Sequence, residues 1–428
     1  MKRFSRPLLE ACVQAFKEVL PLERPADAAL SAFFRANTKI GQRDRATIAD
    51  SVFAALRHRR RLASLVAAPS PRRLVLAVWR VFLGANLREV ESYLRGDEAE
   101  WIAAVKETAG QTQPFEVECE LPDWVIERLR GRFDDGAILA LARGLLRSAP
   151  LDLRVNPMKT SREAVIERLR ADGLRALATP YSRHGVRLDG RPAINRHPLF
   201  LDGSVEIQDE GSQIVCELVS PRRGEMVVDF CAGAGGKTLA LGALMRSTGR
   251  LYAFDISPKR LAGLKPRLVR SGLSNVHPQR IEGTNDSRLK RLAGKIDRVL
   301  VDAPCSGLGT LRRNPDMKWR QTPKDLAELA QKQRTILASA ARLVKPGGRL
   351  VYATCSILDE ENGLVAEEFL SRNTEFTLSP VGGILAKERI ALDMGDYLEL
   401  WPHRHGTDGF FAAVFERTRD ETTLGRSN

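Results

Sequence analysis

Two cysteines stand where a thiol can do chemistry. Cys305 follows the apolar run RVLVDAP and Cys355 follows RLVYAT, and both runs are short, apolar and bounded like strands buried in a parallel sheet. Reactive groups of α/β proteins gather in the crevice at the carboxyl ends of such strands. A thiolate there is a nucleophile that can add to an electron-poor carbon and later leave. A lone buried cysteine is more often inert packing, but two at neighbouring strand ends reverse that weighting. Asp302, three residues before Cys305, sets a carboxylate at the same rim.

A glycine-rich loop, Asp229-Phe-Cys-Ala-Gly-Ala-Gly-Gly-Lys-Thr238, follows another apolar run. A phosphate-cradling loop needs glycine five residues before the Gly236-Lys237 pair, where Cys231 stands. A dinucleotide fingerprint beginning at Gly233 and Gly235 needs a third glycine at 238, which is threonine. What remains is an acid at a strand end followed by small residues, the pattern of S-adenosylmethionine-dependent methyltransferases. Gly233 and Gly235 let the backbone approach the cofactor closely, with Asp229 orienting the loop or accepting from the ammonium group. The expected cofactor residues are therefore Asp229, Cys231, Ala232, Gly233, Ala234, Gly235, Gly236 and Lys237. Twenty residues beyond Gly235, Asp255 ends the run LYAFD, where a carboxylate can accept both ribose hydroxyls.

Beside a methyl donor, paired thiols answer one chemical problem. Carbon 5 of cytosine is a poor nucleophile, but a thiolate adding to carbon 6 makes the ring an enamine whose carbon 5 can take a methyl group. The adduct must then lose the carbon-5 proton and expel the thiolate. One cysteine attacks and the second assists release; spacing does not say which is which.

The elements that must position these groups fall into three segments, expected at 1–135, 136–220 and 221–428. The first reads as helices throughout: Leu8, Leu9, Cys12, Val13, Phe16, Val19 and Leu20 keep helical spacing, and periodic stretches follow at 25–37, 42–67, 73–84 and 86–94. From 136, after a helix carrying Ile138, Leu141 and Leu145, strand, helix and strand (near 186–188) alternate within about 40 residues, as in a small α+β module. From 225, apolar runs at 225–230, 251–255, 298–302 and 349–353 alternate with helices, the longest over roughly 323–344, and a last strand is expected at 409–417. That rhythm predicts a doubly wound, Rossmann-like α/β domain. The polar tail 418–428 is expected to fray.

Composition narrows the partner. The 428 residues are 43% hydrophobic and 28% charged, with a net charge of +14, which suits a multidomain globular chain. Residues 1–80 hold sixteen Lys/Arg against six Asp/Glu, a balance of +10 concentrated at Arg57, Arg59, Arg60 and Arg61. Any one such run is as readily a solvated helix face, but the sum over 80 residues points to a polyanion, RNA first. No apolar run approaches the ~18 residues of a membrane span. The six scattered cysteines lack zinc spacing, so no metal, a reducing cytoplasm and a monomer are expected.

Several blocks resemble the RsmB-type (Nop/Sun) RNA cytosine-5 methyltransferases. They are Asp302-Ala-Pro-Cys305-Ser-Gly, Arg312-Arg313-Asn-Pro-Asp-Met-Lys318-Trp, Tyr352-Ala-Thr-Cys355-Ser-Ile with Glu360, Glu361 and Asn362, His405-Gly-Thr-Asp-Gly-Phe-Phe411, and Gln208-Asp209-Glu-Gly-Ser212. The likeness covers about 200–415, and residues 1–95 resemble the NusB-like RNA-binding domain that bacterial members carry. It implies that Cys355 attacks the base and Cys305 promotes release. It also implies that Asp302 touches the cytosine or the cofactor, and that Lys237 lies near the target. Arg312, Arg313 and Lys318 would hold RNA phosphates, and the substrate would be ribosomal, of the small subunit. Glu282 and Asp286 both qualify as the acid that meets the adenine. Where the family loop has Ala-Pro, this chain has Gly233-Ala234, which predicts a more flexible loop. Two alternatives remain. A DNA cytosine methyltransferase would need a target-recognition insertion that is absent between the sheet elements, and a non-catalytic NusB-like RNA-binding factor would not need the loop and both thiols.

Overall fold

The computed structural model describes residues 4–190 and 192–419; most of the tail expected to fray lies outside the described residues. The chain forms two compact units, one built from Met1–Ser148 with Thr310–Pro323 and the other from Ala149–Gly309 with Lys324–Asn428.

The first unit is helical, and its helices form for local reasons. Arg6–Val19 opens with Ser5 accepting from the Leu8 amide and Pro7 in its first turn, then buries Leu8, Leu9, Cys12, Phe16 and Val19. These pack around Trp79, wholly buried in Pro71–Val81, whose indole N–H donates to Ser51 Oγ at 3.0 Å. The periodic stretch 42–67 is two helices, Gln42–Arg57 and Arg59–Leu65, broken at His58. The break has a cause outside the stretch: the buried Glu120 carboxylate accepts from the amides of Arg60 (2.8 Å) and Arg61 (3.0 Å), capping a new helix N-terminus. Asp135–Leu146, read from the sequence as the start of the α+β module, packs instead on Phe115–Cys119 and Asp123–Arg130.

The segment 310–323 completes this unit by capping two helix ends. Trp319 Nε1 donates to the Leu56 carbonyl at 2.7 Å and Lys318 Nζ to that of Arg57 at 3.0 Å, satisfying last-turn carbonyls of Gln42–Arg57. Asp316 accepts from the amide of Ala26, the first residue of Ala26–Ala36, at 3.2 Å. Lys318 is 2% exposed. Burial pulls its ammonium well below the usual lysine value and pushes the neighbouring Glu120 carboxyl up.

The second unit contains two sheets. Strands β1 (Leu151–Val155), β2 (Ala176–Ala178), β3 (Gly185–Leu188) and β4 (Val205–Ile207) form an antiparallel sheet in the order β2-β3-β1-β4. The helix Arg162–Ala171 joins β1 to β2 and buries Val165 and Leu169. Next comes Glu210–Val219, a helix with every residue buried. The larger sheet has β5 (Met226–Asp229), β6 (Arg250–Asp255), β7 (Val276–Arg280), β8 (Ile296–Asp302) and β9 (Val344–Thr354) in parallel, ordered β9-β8-β5-β6-β7. Strands β10 (Phe376–Leu378), β11 (Leu398–Leu400) and β12 (Phe410–Arg417) are antiparallel, with β12 beside β9 and both others paired to β12. The order reverses at β5, and helices separate the parallel strands, so this is the doubly wound arrangement. Strand β7, Val-His-Pro-Gln-Arg, carries no apolar run and has no sequence signature of its own.

The buried lysine yields a test of the helical unit. Lys318→Met keeps the volume but removes a charge-assisted bond to a helix terminus and the cation facing Glu120. Stability should fall by about 2 kcal/mol, seen as a lower urea midpoint by tryptophan fluorescence. An unchanged midpoint would mean that Lys318 caps nothing of consequence.

Candidate active site

The register of β8 and β9 sets Val301 opposite Tyr352 and Asp302 opposite Ala353. The loops that follow therefore leave the sheet side by side. Cys305 Sγ and Cys355 Sγ lie 3.4 Å apart, both half-buried, with no disulfide between them, and the Cys355 amide donates to Cys305 Sγ at 3.4 Å. The hydrogen bond it shares with the Cys355 sulfur, then burial, hold the Cys305 thiol well above its ordinary pKa.

Behind the thiols sits a sealed polar cluster. Glu361, 0% exposed, accepts from the Ser306 amide (2.7 Å), from Gln333 Nε2 (2.9 Å), and from the hydroxyls of Ser306 and Ser356. The Tyr352 hydroxyl donates to the Glu361 carbonyl, and Asn362 ties the Thr354 hydroxyl to the Ser356 carbonyl. A third loop closes the arrangement. The Gly309 amide donates to the Cys355 carbonyl and the Gly409 amide to the Gly309 carbonyl, each at 2.8 Å. A Cβ on Gly309 would meet Gly409 O at 2.3 Å, so only glycine allows this approach. That contact accounts for the second glycine of His405-Gly-Thr-Asp-Gly-Phe-Phe411.

The cofactor loop joins the same rim. Lys237 Nζ donates to Asp302 Oδ2 at 2.7 Å and lies 5.4 Å from the centre of the Phe410 ring. Burial, the largest single influence, opposes its charge, but Asp302 together with the nearby Cys216 and Cys355 keeps the lysine above its usual pKa. Gly235, at φ +83, caps Gly236–Leu244, and a Cβ there would strike Leu264 Cδ1 at 2.1 Å. Three side chains tether the loop backbone. Asp255 accepts from the Gly233 amide at 2.8 Å, Arg267 donates to the Ala234 carbonyl at 2.7 Å, and Arg154 donates to the Gly236 carbonyl at 2.7 Å. These supply from outside the rigidity that a proline would have supplied from within. Nothing local in the sequence marks Arg154 or Arg267, and Glu361 stands in a motif block that gives it no role.

The site's chemistry fits S-adenosylmethionine. Asp229 Oδ2 accepts from the Thr238 hydroxyl at 2.7 Å, while Oδ1 is buried with no partner, and burial pushes the carboxyl up to about 7. An orphaned buried acceptor at the loop suits a ligand ammonium group. Cys231 packs its side chain against the apolar cluster of Phe230 and Phe254, so it offers the loop backbone alone. Asp255 keeps Oδ1 on the Ser257 amide at 2.7 Å and stands at the carboxyl end of β6. At the end of β7 the two acids part company. Asp286 caps Ser287–Leu292 and accepts from the amides of Glu282 (3.0 Å) and Arg288 (2.8 Å). Glu282 is exposed.

The expected RNA contacts need correction. Arg312 and Lys318 are 5% and 2% exposed and serve the helical unit's interior, where Arg57 donates to the Arg312 carbonyl at 3.1 Å. Arg60 pairs with Asp123 at 2.6 Å and Arg61 bonds the Ala109 carbonyl at 2.9 Å. Only Arg59 of the four-arginine run is exposed, with its guanidinium 5.6 Å from the Trp319 ring centre. Arg313 is half-exposed. The basic run is thus largely structural, a role that its charge alone did not reveal.

A doubly wound sheet, a glycine loop after its first strand and an acid after its second define the class of S-adenosylmethionine-dependent methyltransferases. Residues 216–416 match the family described as 16S rRNA methyltransferase RsmB/F, and residues 121–195 match its ferredoxin-like domain. The chain is 32% identical over 330 residues to the probable ribosomal RNA small subunit methyltransferase B of Bacillus subtilis, covering 75% of this chain and 72% of that one. It is 36% identical over 297 residues to the protein of the same name in Synechocystis, where the match covers 69% of this chain and 66% of the relative. The crystal structure of PH0851 superposes with a TM-score of 0.78 at 26% identity, covering 97% of this chain and 99% of that one. A methyltransferase homologue from Pyrococcus horikoshii gives 0.55 at 29% identity, covering 69% and 100%. The chain belongs to the RsmB/F family, and its cofactor is S-adenosylmethionine. Among the described residues no helix is long and apolar enough to cross a membrane, and no cluster of His, Cys, Asp or Glu could hold a metal ion.

Because Asp255 tethers Gly233 and is the residue expected to accept the ribose hydroxyls, Asp255→Ala should weaken S-adenosylmethionine binding by about 1.5–3 kcal/mol. Calorimetry finding unchanged affinity in a folded variant would show that the loop has been misread.

Proposed function

We propose that this chain methylates carbon 5 of a cytosine in small-subunit ribosomal RNA, through a covalent adduct between Cys355 and carbon 6. The observation that carries the reading is the pair of thiols 3.4 Å apart on adjacent strand ends, at one rim with Lys237 and Asp302. Small-subunit ribosomal RNA is named by the relatives. The cytosine specificity rests on the chemistry that two such thiols suit.

Asp229, the 231–237 loop, Asp255 and Glu282 would hold S-adenosylmethionine, which when bound supplies an electrophilic methyl group. The Cys355 thiolate adds to carbon 6, and the displaced π electrons make carbon 5 nucleophilic toward that methyl. Asp302, fixed by Lys237, contacts the base. Release follows when carbon 5 loses its proton, the C5–C6 double bond re-forms and the C6–S bond breaks, returning the Cys355 thiolate. Cys305 serves release. The family resemblance assigns it that role, as the candidate acceptor of the carbon-5 proton. Residues 1–95 resemble a NusB-like RNA-binding domain, with the +10 balance of residues 1–80 drawing RNA non-specifically and Arg59 and Arg313 as candidate contacts.

The division of labour has a direct readout. Cys355→Ala should give neither methylated RNA nor a covalent complex. Cys305→Ala should attack, methylate and stall, leaving protein attached to RNA on a denaturing gel. The opposite pattern, an adduct in Cys355→Ala that vanishes in Cys305→Ala, would make Cys305 the nucleophile.

A further inference from the structure

We propose that Glu361 is the positioning residue that holds the Cys305 and Cys355 thiols at their working separation. This deepens the reading above and rests on it for its functional meaning, though the geometry is independent of any substrate. Glu361 touches neither sulfur. It acts through the residue after each: Ser306 follows Cys305, Ser356 follows Cys355, and both hydroxyls donate to the same carboxylate oxygen, Oε2. The other oxygen takes the Ser306 amide and Gln333 Nε2, and Gln333 Nε2 also donates to the Pro304 carbonyl at 3.0 Å. Ser306, after Cys305, is thereby fixed to the carboxylate directly and Pro304, before it, through Gln333, and the chain just past Cys355 is fixed to it too.

A buried carboxylate is an expensive way to join two loops. It is sealed from water, and no lysine or arginine forms an ion pair with it among the described residues. Packing alone would be served as well by an apolar side chain. A carboxylate offers about four acceptor positions in one plane, enough to collect donors from both thiol loops and from the helix Pro323–Ala341 at a single point. Glu361 itself sits in the short helical turn Asp359–Glu361, five residues beyond Ser356 and bonded to it directly. The clamp is therefore local to β9 on one side and reaches across 55 residues to the β8 loop on the other.

Glu361→Gln keeps the volume and can still accept through its oxygen, while its amide nitrogen faces the serine hydroxyls and loosens the grip on Oε2. Ser306→Ala and Ser356→Ala each release one arm. The readout is the rate at which diamide joins Cys305 to Cys355 in an intramolecular disulfide, followed by mass spectrometry of the intact chain. The Glu361 charge also raises the Cys305 pKa, so removing it should by itself speed oxidation; slower oxidation must then come from the sulfurs moving apart. Glu361→Gln and Ser356→Ala should each slow disulfide formation at least tenfold and lower kcat by a similar factor. S-adenosylmethionine affinity by calorimetry and KM for small-subunit RNA should stay within twofold. Glu361→Asp, which keeps the charge but shortens the reach, should resemble Glu361→Gln.

Disulfide rates within twofold of the parent in folded Glu361→Gln or Ser356→Ala would overturn the proposal and leave Glu361 a satisfied core carboxylate. If Glu361→Gln does not fold, Ser356→Ala decides the question alone. Slower disulfide formation in a protein whose parent methylates no cytosine would uphold the positioning role and sink the functional reading, so the two fail separately.

Discussion

A carboxylate sealed from water must find a donor for each of its lone pairs or be destabilising. Glu361 finds four, and three of them come from the two residues that follow the site's thiols. Much of the local architecture is arranged around meeting that requirement. The parallel pairing of β8 with β9 delivers both loops to one place. The helix Pro323–Ala341 brings Gln333, which bonds Glu361 and the Pro304 carbonyl. The glycine contact between Gly309 and Gly409 then adds the β12 loop to the bundle. What emerges is a pair of hydrogen-bonded sulfurs 3.4 Å apart, held by groups that are themselves held.

The cofactor side follows the same logic with different chemistry. A loop rich in glycine is entropically costly to order, and its ordering here is imposed from three directions. Asp255 comes from β6, Arg267 from the helix Pro258–Ser271, and Arg154 from β1 of the small sheet. Glu206 of β4 in turn pairs with Arg267 at 2.9 Å and with Arg270. The antiparallel module is thus a structural support for the cofactor loop, whatever it does with RNA. Phe410, from the start of β12, places its ring against Lys237 and so links the loop to the thiol side.

The parts legible in the sequence were those whose signal is local. Apolar runs marked β5, β6, β8, β9 and β12, and glycine spacing marked the cofactor loop, because burial on both faces and positive φ each leave a mark on residue type. Strand β7 was illegible: Val-His-Pro-Gln-Arg forms a strand by pairing with β6 at the sheet edge, not by propensity. The break at His58 was equally hidden, since its cause is Glu120, about 60 residues away. The largest miss was the basic run. Charge suggested a surface for phosphates, but Arg57, Arg60 and Arg61 are half-buried and each spend a donor inside the unit, and Lys318 and Arg312 are buried. Sequence charge reports sign and density; it does not report which donors are already taken.

The central claim is that these sulfurs and this loop serve one reaction at one base. Bisulfite sequencing of small-subunit ribosomal RNA, compared between a strain with the gene and one lacking it, tests that most directly. The account predicts one cytosine, protected from conversion in the parent, that converts fully in the deletion strain and is protected again when the intact gene, but not a Cys355→Ala copy, is restored. An unchanged pattern of protected cytosines in the deletion strain, with the protein shown to be expressed in the parent, would contradict it.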